Sequence, residues 1–403
     1  MSTTKLKDRV RTEEWKIARH VTRLEASIIR EILKVSSRPG VINFAGGLPA
    51  PELFPVDDIN WALDEAMAKN GPAAVQYSLT RGINPLRELI AERATDRGTK
   101  TEVENVQVTA GAQQGIELIA RAFIEPGDYV LTENPTYLGA LQAFNYYRAR
   151  YTTVEMDAEG MIIDEVKRKI QKYQPKLIYT VSNFQNPTGI TMSEERRRQL
   201  LEVAIDADVP IIDDNPYGDI RFKGEHVPTL KSIGGDEVVA LRTFSKVLAP
   251  GLRVGWMNGP AEIMTYFEKV KQCTDLHTNT LGQAMIYEFV AAGKLEPHVE
   301  KVRTAYRAKC DLMLKTMDET FPAGVTWTRP EGGLFLWVEL PESMSAKDLF
   351  DQAIENDVAY VWGEPFYPNG GGENTMRLNF ATASHEEIEQ GTKRLAEVLK
   401  ANM

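Results

Sequence analysis

The sequence predicts an α/β protein: a mostly parallel seven-stranded sheet in a large domain, followed along the chain by a smaller α+β domain. Three observations carry that expectation. Between about residues 105 and 260, short β-rich runs alternate with helical runs, the pattern of strands joined by crossover helices. Beyond residue 290 the pattern changes to one long helix and then a mixture of strands and helices. A chain of 403 residues is also too long for one hydrophobic core.

Taken in order, residues 1–45 are too few to fold alone and are expected to pack against the smaller domain. Residues 46–290 are expected to form the large domain and 291–403 the small one. The expected strands of the large domain are Val106–Thr109, Tyr129–Thr132, Tyr151–Val154, Leu177–Val181, Val209–Asp213, Val238–Arg242 and Val254–Asn258. Helices lie between them, among them Gln113–Ile124 and Ser193–Asp206. Ser193 can cap the latter, and Glu194 and Glu195 suit its first turn. The small domain reads as a helix Pro297–Glu319, strands Val325–Thr328 and Leu334–Glu339, and a helix from Ala346. Strands near Ala359–Val361 and at Met376–Phe380 and a last helix Glu386–Ala401 complete it. Asn369–Gly372 is the most flexible internal loop by composition.

Hydrophobic residues at 43% and charged residues at 26% are ordinary globular values. The net charge of −10 argues against general nucleic-acid binding and favours a soluble cytoplasmic protein. Cys273 and Cys310 belong to no CxxC pair, which argues against a disulfide framework or a zinc site. Both are expected to be buried or half-buried thiols in helices. Five histidines without HExxH spacing argue against a metal enzyme. No apolar run reaches 18 residues, so no membrane span is expected, and the N-terminal charges argue against a signal peptide. A Gly-x-Gly-x-x-Gly turn after the first strand and a P-loop are both missing, which argues against a nicotinamide dehydrogenase and an NTPase.

The chemistry concentrates around Lys246, in Thr243-Phe244-Ser245-Lys246-Val247-Leu248-Ala249-Pro250-Gly251-Leu252-Arg253. An amine can condense with an aldehyde, and Thr243, Ser245 and Arg253 can hold a phosphate beside it. Val247, Leu248 and Leu252 would keep the site dry. The plain alternative is a solvated lysine in a Gly/Pro loop. Three more segments follow expected strands, at the edge where open α/β sheets bind ligands. Gly111-Ala112-Gln113 can offer backbone N–H groups to a phosphate or simply start a helix. Asn183–Gly189 can bind a ligand or be a turn, and Asp213-Asp214-Asn215-Pro216-Tyr217 can be a site or an acidic helix start.

With these segments in this order, the chain resembles the fold-type I pyridoxal-5′-phosphate (PLP) aminotransferases. It is most similar to the branch holding 2-aminoadipate, kynurenine and multi-substrate aromatic aminotransferases. The resemblance runs from about Arg23 to the end, and the Lys246 segment carries much of it. So do Asn43–Pro55, Gln76-Tyr77-Ser78, Phe184–Gly189, Asp275–Thr278 and Asn369–Leu378. It implies an aspartate-aminotransferase-like fold, with PLP held covalently by Lys246. It further implies that Asp214 pairs with the pyridine nitrogen, that Tyr217 and Asn186 hydrogen-bond the ring oxygen, and that Tyr137 stacks on the ring. Gly111, Ala112, Gln113, Thr243, Ser245 and Arg253 would surround the phosphate, together with Tyr77 from a partner subunit, in a homodimer with shared active sites. Arg377 would clamp the substrate α-carboxylate with help from Asn186 and Gly47.

The implied reaction moves an amino group from an L-amino acid to 2-oxoglutarate by a ping-pong mechanism, with 2-aminoadipate, glutamate and aromatic amino acids as expected donors. Arg30 matches the position where this branch faces a distal carboxylate, or it is a solvated helical arginine. A β-lyase or decarboxylase on the same fold is the main alternative. A PLP-binding module of a transcription regulator is the other, but only about 45 residues precede Gly46, too few for a winged helix.

Overall fold

In a computed structural model, residues 40–403 are described, with residues 15–18, 20–22, 32 and 38 before them. After a short strand β1 (Ile42–Asn43), helices α1 (Val56–Asn70) and α2 (Asn84–Asp96) lead to β2 (Val106–Thr109). There follow α3 (Ala112–Phe123), β3 (Tyr129–Asn134), α4 (Leu138–Tyr146), β4 (Arg150–Asp157), β5 (Gly160–Met161), α5 (Ile163–Tyr173) and β6 (Leu177–Thr180). Next come α6 (Glu194–Asp206), β7 (Ile211–Asp214), α7 (Leu230–Gly234), β8 (Val238–Thr243), β9 (Gly255–Asn258), α8 (Ala261–Gln272) and α9 (Thr280–Ala291). The last part holds α10 (Leu295–Thr320), β10 (Thr326–Trp327), β11 (Phe335–Glu339), α11 (Phe350–Glu355), β12 (Val358–Ala359), β13 (Val361–Trp362), β14 (Thr375–Asn379) and α12 (His385–Ala401).

The large sheet has the order β2-β9-β8-β7-β6-β3-β4-β5. Its run from β8 to β4 is parallel and β9 and β5 are antiparallel to their neighbours, so the expected α/β class holds. All seven expected strands are present. The eighth, β5, is a two-residue return strand on β4 made by the turn at Ala158-Glu159, too short to show a period in the sequence. Ser193 caps α6 as expected, accepting the Arg196 N–H at 3.2 Å.

Strand alternation divides the core. Tyr179, Ile212, Val239 and Leu241 pack on one face of the sheet in the larger apolar cluster. Ile178, Ile211 and Val238 face the other way, against Val166 and Ile170 of α5 and Leu200 and Leu201 of α6. Because β6, β7 and β8 run parallel, their carboxyl ends share one edge, where Ser182, Asp214 and Thr243 emerge.

The smaller domain is an antiparallel sheet β10-β11-β14-β13, with the long α10 and α12 packed together beside it. Ser384 and Glu387 form a capping box at the start of α12. β1 pairs in parallel with β12. Two expectations are corrected here. The helix expected from Ala346 begins only at Phe350, because residues 346–349 form turns. Cys273 is exposed at the end of α8, where the helix has run out of apolar face, whereas Cys310 is buried within α10.

Gly255 shows how tightly the site edge is built. A Cβ there would meet the Arg242 carbonyl oxygen at 2.6 Å and the Ala112 nitrogen at 3.0 Å. Gly255→Ala is expected to destabilise the fold by about 1–3 kcal/mol, typical of overpacking. A urea midpoint lowered with unchanged slope would show it; an unchanged midpoint would refute the close approach.

Candidate active site

Thr243 ends β8, and its hydroxyl donates to Ser245 Oγ at 2.9 Å while accepting the Ser245 N–H at 3.0 Å. This turn directs Lys246 inward, where its Nζ donates to the Gly47 carbonyl at 2.8 Å. Val247 and Leu248 behind it are buried, as the sequence suggested. Burial, reinforced by the charges of Arg377 and Arg253, draws the Lys246 amine down to about 8. Arg253 takes left-handed backbone at φ 53°. Its guanidinium donates to the Ala110 carbonyl at 3.0 Å and lies against Gly111, where an added Cβ would be 2.7 Å from it. Gly111 has φ 80° and opens α3, whose first N–H groups have no helical acceptor. Arg253, the hydroxyls of Thr243 and Ser245 and the α3 terminus therefore offer donors suited to a phosphate.

Asp214 ends β7 and is 2% exposed. Its Oδ2 accepts the Tyr179 hydroxyl at 2.7 Å, and its Oδ1 is buried without a hydrogen-bond partner. Burial pushes this carboxyl up to about 7, against the pull of Tyr179 and with a further push from Asp213. A carboxylate with one buried free oxygen suits a protonated ring nitrogen. Asp213 points to the opposite face, where Ser182 donates to it at 2.6 Å, so alternation separates the two acids as the sequence implied.

Tyr217 is buried, lies edge-on to Phe335, and has the Lys246 ammonium 6.0 Å from its ring centre. Burial raises its phenol well above the ordinary range, and a hydrogen bond with Asn186 opposes this. Tyr137 begins α4, and its hydroxyl is 3.5 Å from Gln113 Oε1, while Gln113 Nε2 donates to Gly139 O at 2.7 Å. Burial, then the Asp214 charge, raises the Tyr137 phenol to about 12.

Arg377 sits on β14 with 1% exposure, its neighbours Met376 and Leu378 being equally buried. Its guanidinium donates to Asn186 Oδ1 at 2.9 Å and Ala45 O at 2.8 Å, and lies 4.3 Å from the Phe335 ring and 5.3 Å from that of Phe366. Its Nε is buried without a partner, and it forms no ion pair with a carboxylate among the described residues. Gly47 lies beside it, within van der Waals reach of Phe335 and Arg377. Burial lowers this guanidinium to about 10.

Lys246, Gly47, Asn186, Arg377 and Tyr217 thus form one linked cluster. Tyr77 does not join it: it is 79% exposed and packs edge-on against His277. Arg30 lies outside the described residues.

Residues 40–395 match the aminotransferase class I and II family. The chain belongs to that family. It is 43% identical over 387 residues to aromatic-amino-acid aminotransferase 1 of Thermococcus litoralis, covering 94% of this chain and 93% of that one. Pyrococcus horikoshii kynurenine aminotransferase, solved in complex with PMP, is 41% identical with a TM-score of 0.94, covering 97% of this chain and 98% of that one. The α-aminoadipate aminotransferase of Thermus thermophilus, complexed with N-(5′-phosphopyridoxyl)-L-leucine, is 38% identical with a TM-score of 0.89, covering 96% and 97%. This aminotransferase is accordingly PLP-dependent.

Some structural partners of the site were missed in the sequence. Tyr179 reaches Asp214 only because strand register sets β6 beside β7. Phe335 and Phe366, whose rings both lie against Arg377, come from separate segments. Glu133 had a visible signal, a lone acid in an apolar strand just before Asn134-Pro135. It is buried, accepts from Thr180, Val181 N–H and Gln185, and burial pushes it up to about 7.

The raised Asp214 carboxyl has a definite sign in the cofactor-free protein. Folded Asp214 binds its proton more tightly than the unfolded chain, so stability falls as pH rises from about 4 through 7. Asp214→Asn is expected to raise the urea midpoint of cofactor-free protein at pH 8 and to leave it near wild type at pH 4. A midpoint below wild type at pH 8 would mean that the carboxylate stabilises the fold.

Proposed function

We propose that this enzyme moves the amino group of an L-amino acid to 2-oxoglutarate in two half-reactions at one site, and that Arg377 is the observation carrying the proposal. A buried guanidinium with a free Nε–H and no protein carboxylate is suited to a ligand carboxylate. Every amino acid and 2-oxo acid brings one.

Bound PLP supplies an electron sink that stabilises negative charge at the substrate Cα. Lys246 Nζ, held near neutrality at about 8, is suited to anchor PLP and then to take the Cα proton and return it. Asp214 would pair with the ring nitrogen and keep it protonated, and Tyr217 and Asn186 would hydrogen-bond the ring oxygen. Tyr137 would pack against the ring, while Gly111, Ala112, Gln113, Thr243, Ser245 and Arg253 would hold the phosphate. Arg377, with Asn186 and Gly47 beside it, orients the α-carboxylate so that the Cα–H bond faces Lys246.

Relatives act, by their names, on aromatic amino acids, 2-aminoadipate and kynurenine. We carry over a broad set of donors: 2-aminoadipate, glutamate and aromatic amino acids. In that reading Arg30 would be the residue that recognises the distal carboxylate of acidic substrates, while Leu48, Tyr77 and Tyr137 would line the path for aromatic ones. The chain acts as a homodimer in which Tyr77 completes the partner's phosphate site. The exposure of Val75, Tyr77, Leu79 and Leu276 supports this. Residues 46–290 and 291–403 serve as its large and small domains, and the enzyme works in the cytoplasm. Among the described residues no helix is long and apolar enough to cross a membrane.

Arg377→Ala should reduce kcat/KM for every amino donor by about 100-fold or more, since two charge-assisted hydrogen bonds are lost, each worth about 1.5–3 kcal/mol. An unchanged KM across donors would remove Arg377 from the clamp. With wild-type enzyme, 2-oxo acid should appear only when 2-oxoglutarate is present; product without an acceptor would favour a lyase. Arg30→Ala should weaken glutamate and 2-aminoadipate at least tenfold more than phenylalanine, and an equal loss for all three would end its assigned role.

A further inference from the structure

The strands that carry the active site have a second face. On β8, Thr243 points to the site edge, so Arg242 and Ala240 point the other way. Across the antiparallel pair, Arg242 is opposite Trp256 and Ala240 opposite Asn258. On this face, beyond the cover of α5 and α6, lies a cleft of about 920 Å³ between α2, the start of α10 and the loop at 218–231. Neither Lys246, Asp214, Tyr217 nor Arg377 lines it. Its volume falls within the usual range for small-molecule sites.

Three features of the cleft point to a ligand. Its lining holds eight Lys/Arg against four Asp/Glu, an excess that the chain's net charge of −10 makes local. The side chain of Arg242, on the floor, makes no hydrogen bond or ion pair with a described residue, although the seven other cations of the lining are each ion-paired. Two acids feel its charge, Asp219 and, on the neighbouring strand, Asp213. Burial raises the Asp219 carboxyl, and the charges of Arg97, Arg242, Arg93 and Arg303 hold it below its ordinary value, while Arg93, Arg97 and Arg303 also pair with Glu296 or Glu300. Finally, Asn215 Nδ2 and Asn258 Oδ1 are buried without partners, and both residues line the cleft. Beside Arg242, Trp256 packs against Phe244 with ring centres 4.9 Å apart and planes tilted by 44°, and provides an apolar wall.

We propose that this reverse-face cleft is a second binding site, separate from the catalytic one, for a small organic acid whose acid group pairs with Arg242 and whose apolar body rests on Trp256 and Phe244. Occupancy bears directly on the catalytic segments. Arg242 precedes Thr243, Phe244 lies two residues before Lys246, and Asn215 follows Asp214 while its Oδ1 accepts the Gly218 N–H at 2.9 Å.

Calorimetric titration of the PLP-loaded protein with indole-3-acetate, indole and inorganic phosphate tests this. The Arg377→Ala background keeps the acid from the catalytic clamp. Indole-3-acetate should bind once per chain, at least tenfold more tightly than indole or phosphate. Arg242→Gln should weaken it at least tenfold. Thr304→Trp, which blocks the mouth from an exposed position and leaves the floor intact, should do the same and decides the matter if Arg242→Gln fails to fold. Absence of binding by all three probes overturns the proposal. So does binding that survives the substitutions, and so does phosphate binding as tightly as indole-3-acetate, which would mean a bare anion hole.

Discussion

Desolvation of charge is the constraint on which this structure depends. Lys246, Asp214 and Arg377 leave bulk water at one edge of a parallel sheet, and each is pushed toward its neutral form by burial. The resulting values, about 8 for the amine and about 7 for the carboxyl, lie where proton transfer near neutrality is easy. An aspartate or lysine in water would have neither. The fold bears the cost of holding them there, through hydrogen bonds that satisfy only part of each group: one oxygen of Asp214 and two of the guanidinium nitrogens of Arg377. The remaining atoms suit ligands that carry the complementary charge.

A buried polar scaffold keeps these groups in place. Glu133 draws in the Gln185 amide, which also donates to Pro135 O, and Gln185 Oε1 receives the Thr188 hydroxyl and N–H. The segments carrying Tyr137 and Asn186 are therefore tied to one carboxylate. On the opposite face Arg197 donates to Ser182 O and Asn183 Oδ1, behind the same loop. Both networks are almost wholly enclosed, so their hydrogen bonds are rigid supports rather than solvent-screened contacts.

The period of a strand gives the sheet two chemical faces from one set of residues. Asp214 and Thr243 serve the edge that holds the catalytic cluster, while Asp213 and Arg242, one residue earlier on each strand, face the reverse side. A change on either face acts on the same short strands, which explains why the two sites are physically adjacent without sharing a lining residue of the catalytic cluster.

Much was legible in the sequence because it depends on local spacing. The Lys246 segment, the Asn186 turn and the Asp214–Tyr217 spacing were recognisable at strand ends, and seven of the eight strands of the large sheet could be placed from their apolar runs. Short elements escaped, as β5 and the late start of α11 show, because two to four residues carry no period. Pairing across the chain was decided only by tertiary structure. Tyr179 meets Asp214, Phe335 and Phe366 lie against Arg377, and Gly47 O meets Lys246 across 199 positions because register and packing bring distant segments together. The sequence by itself determined which chemical groups are present and in what order. The tertiary structure decided which of them lose water, and therefore which acquire the perturbed charge that makes them useful.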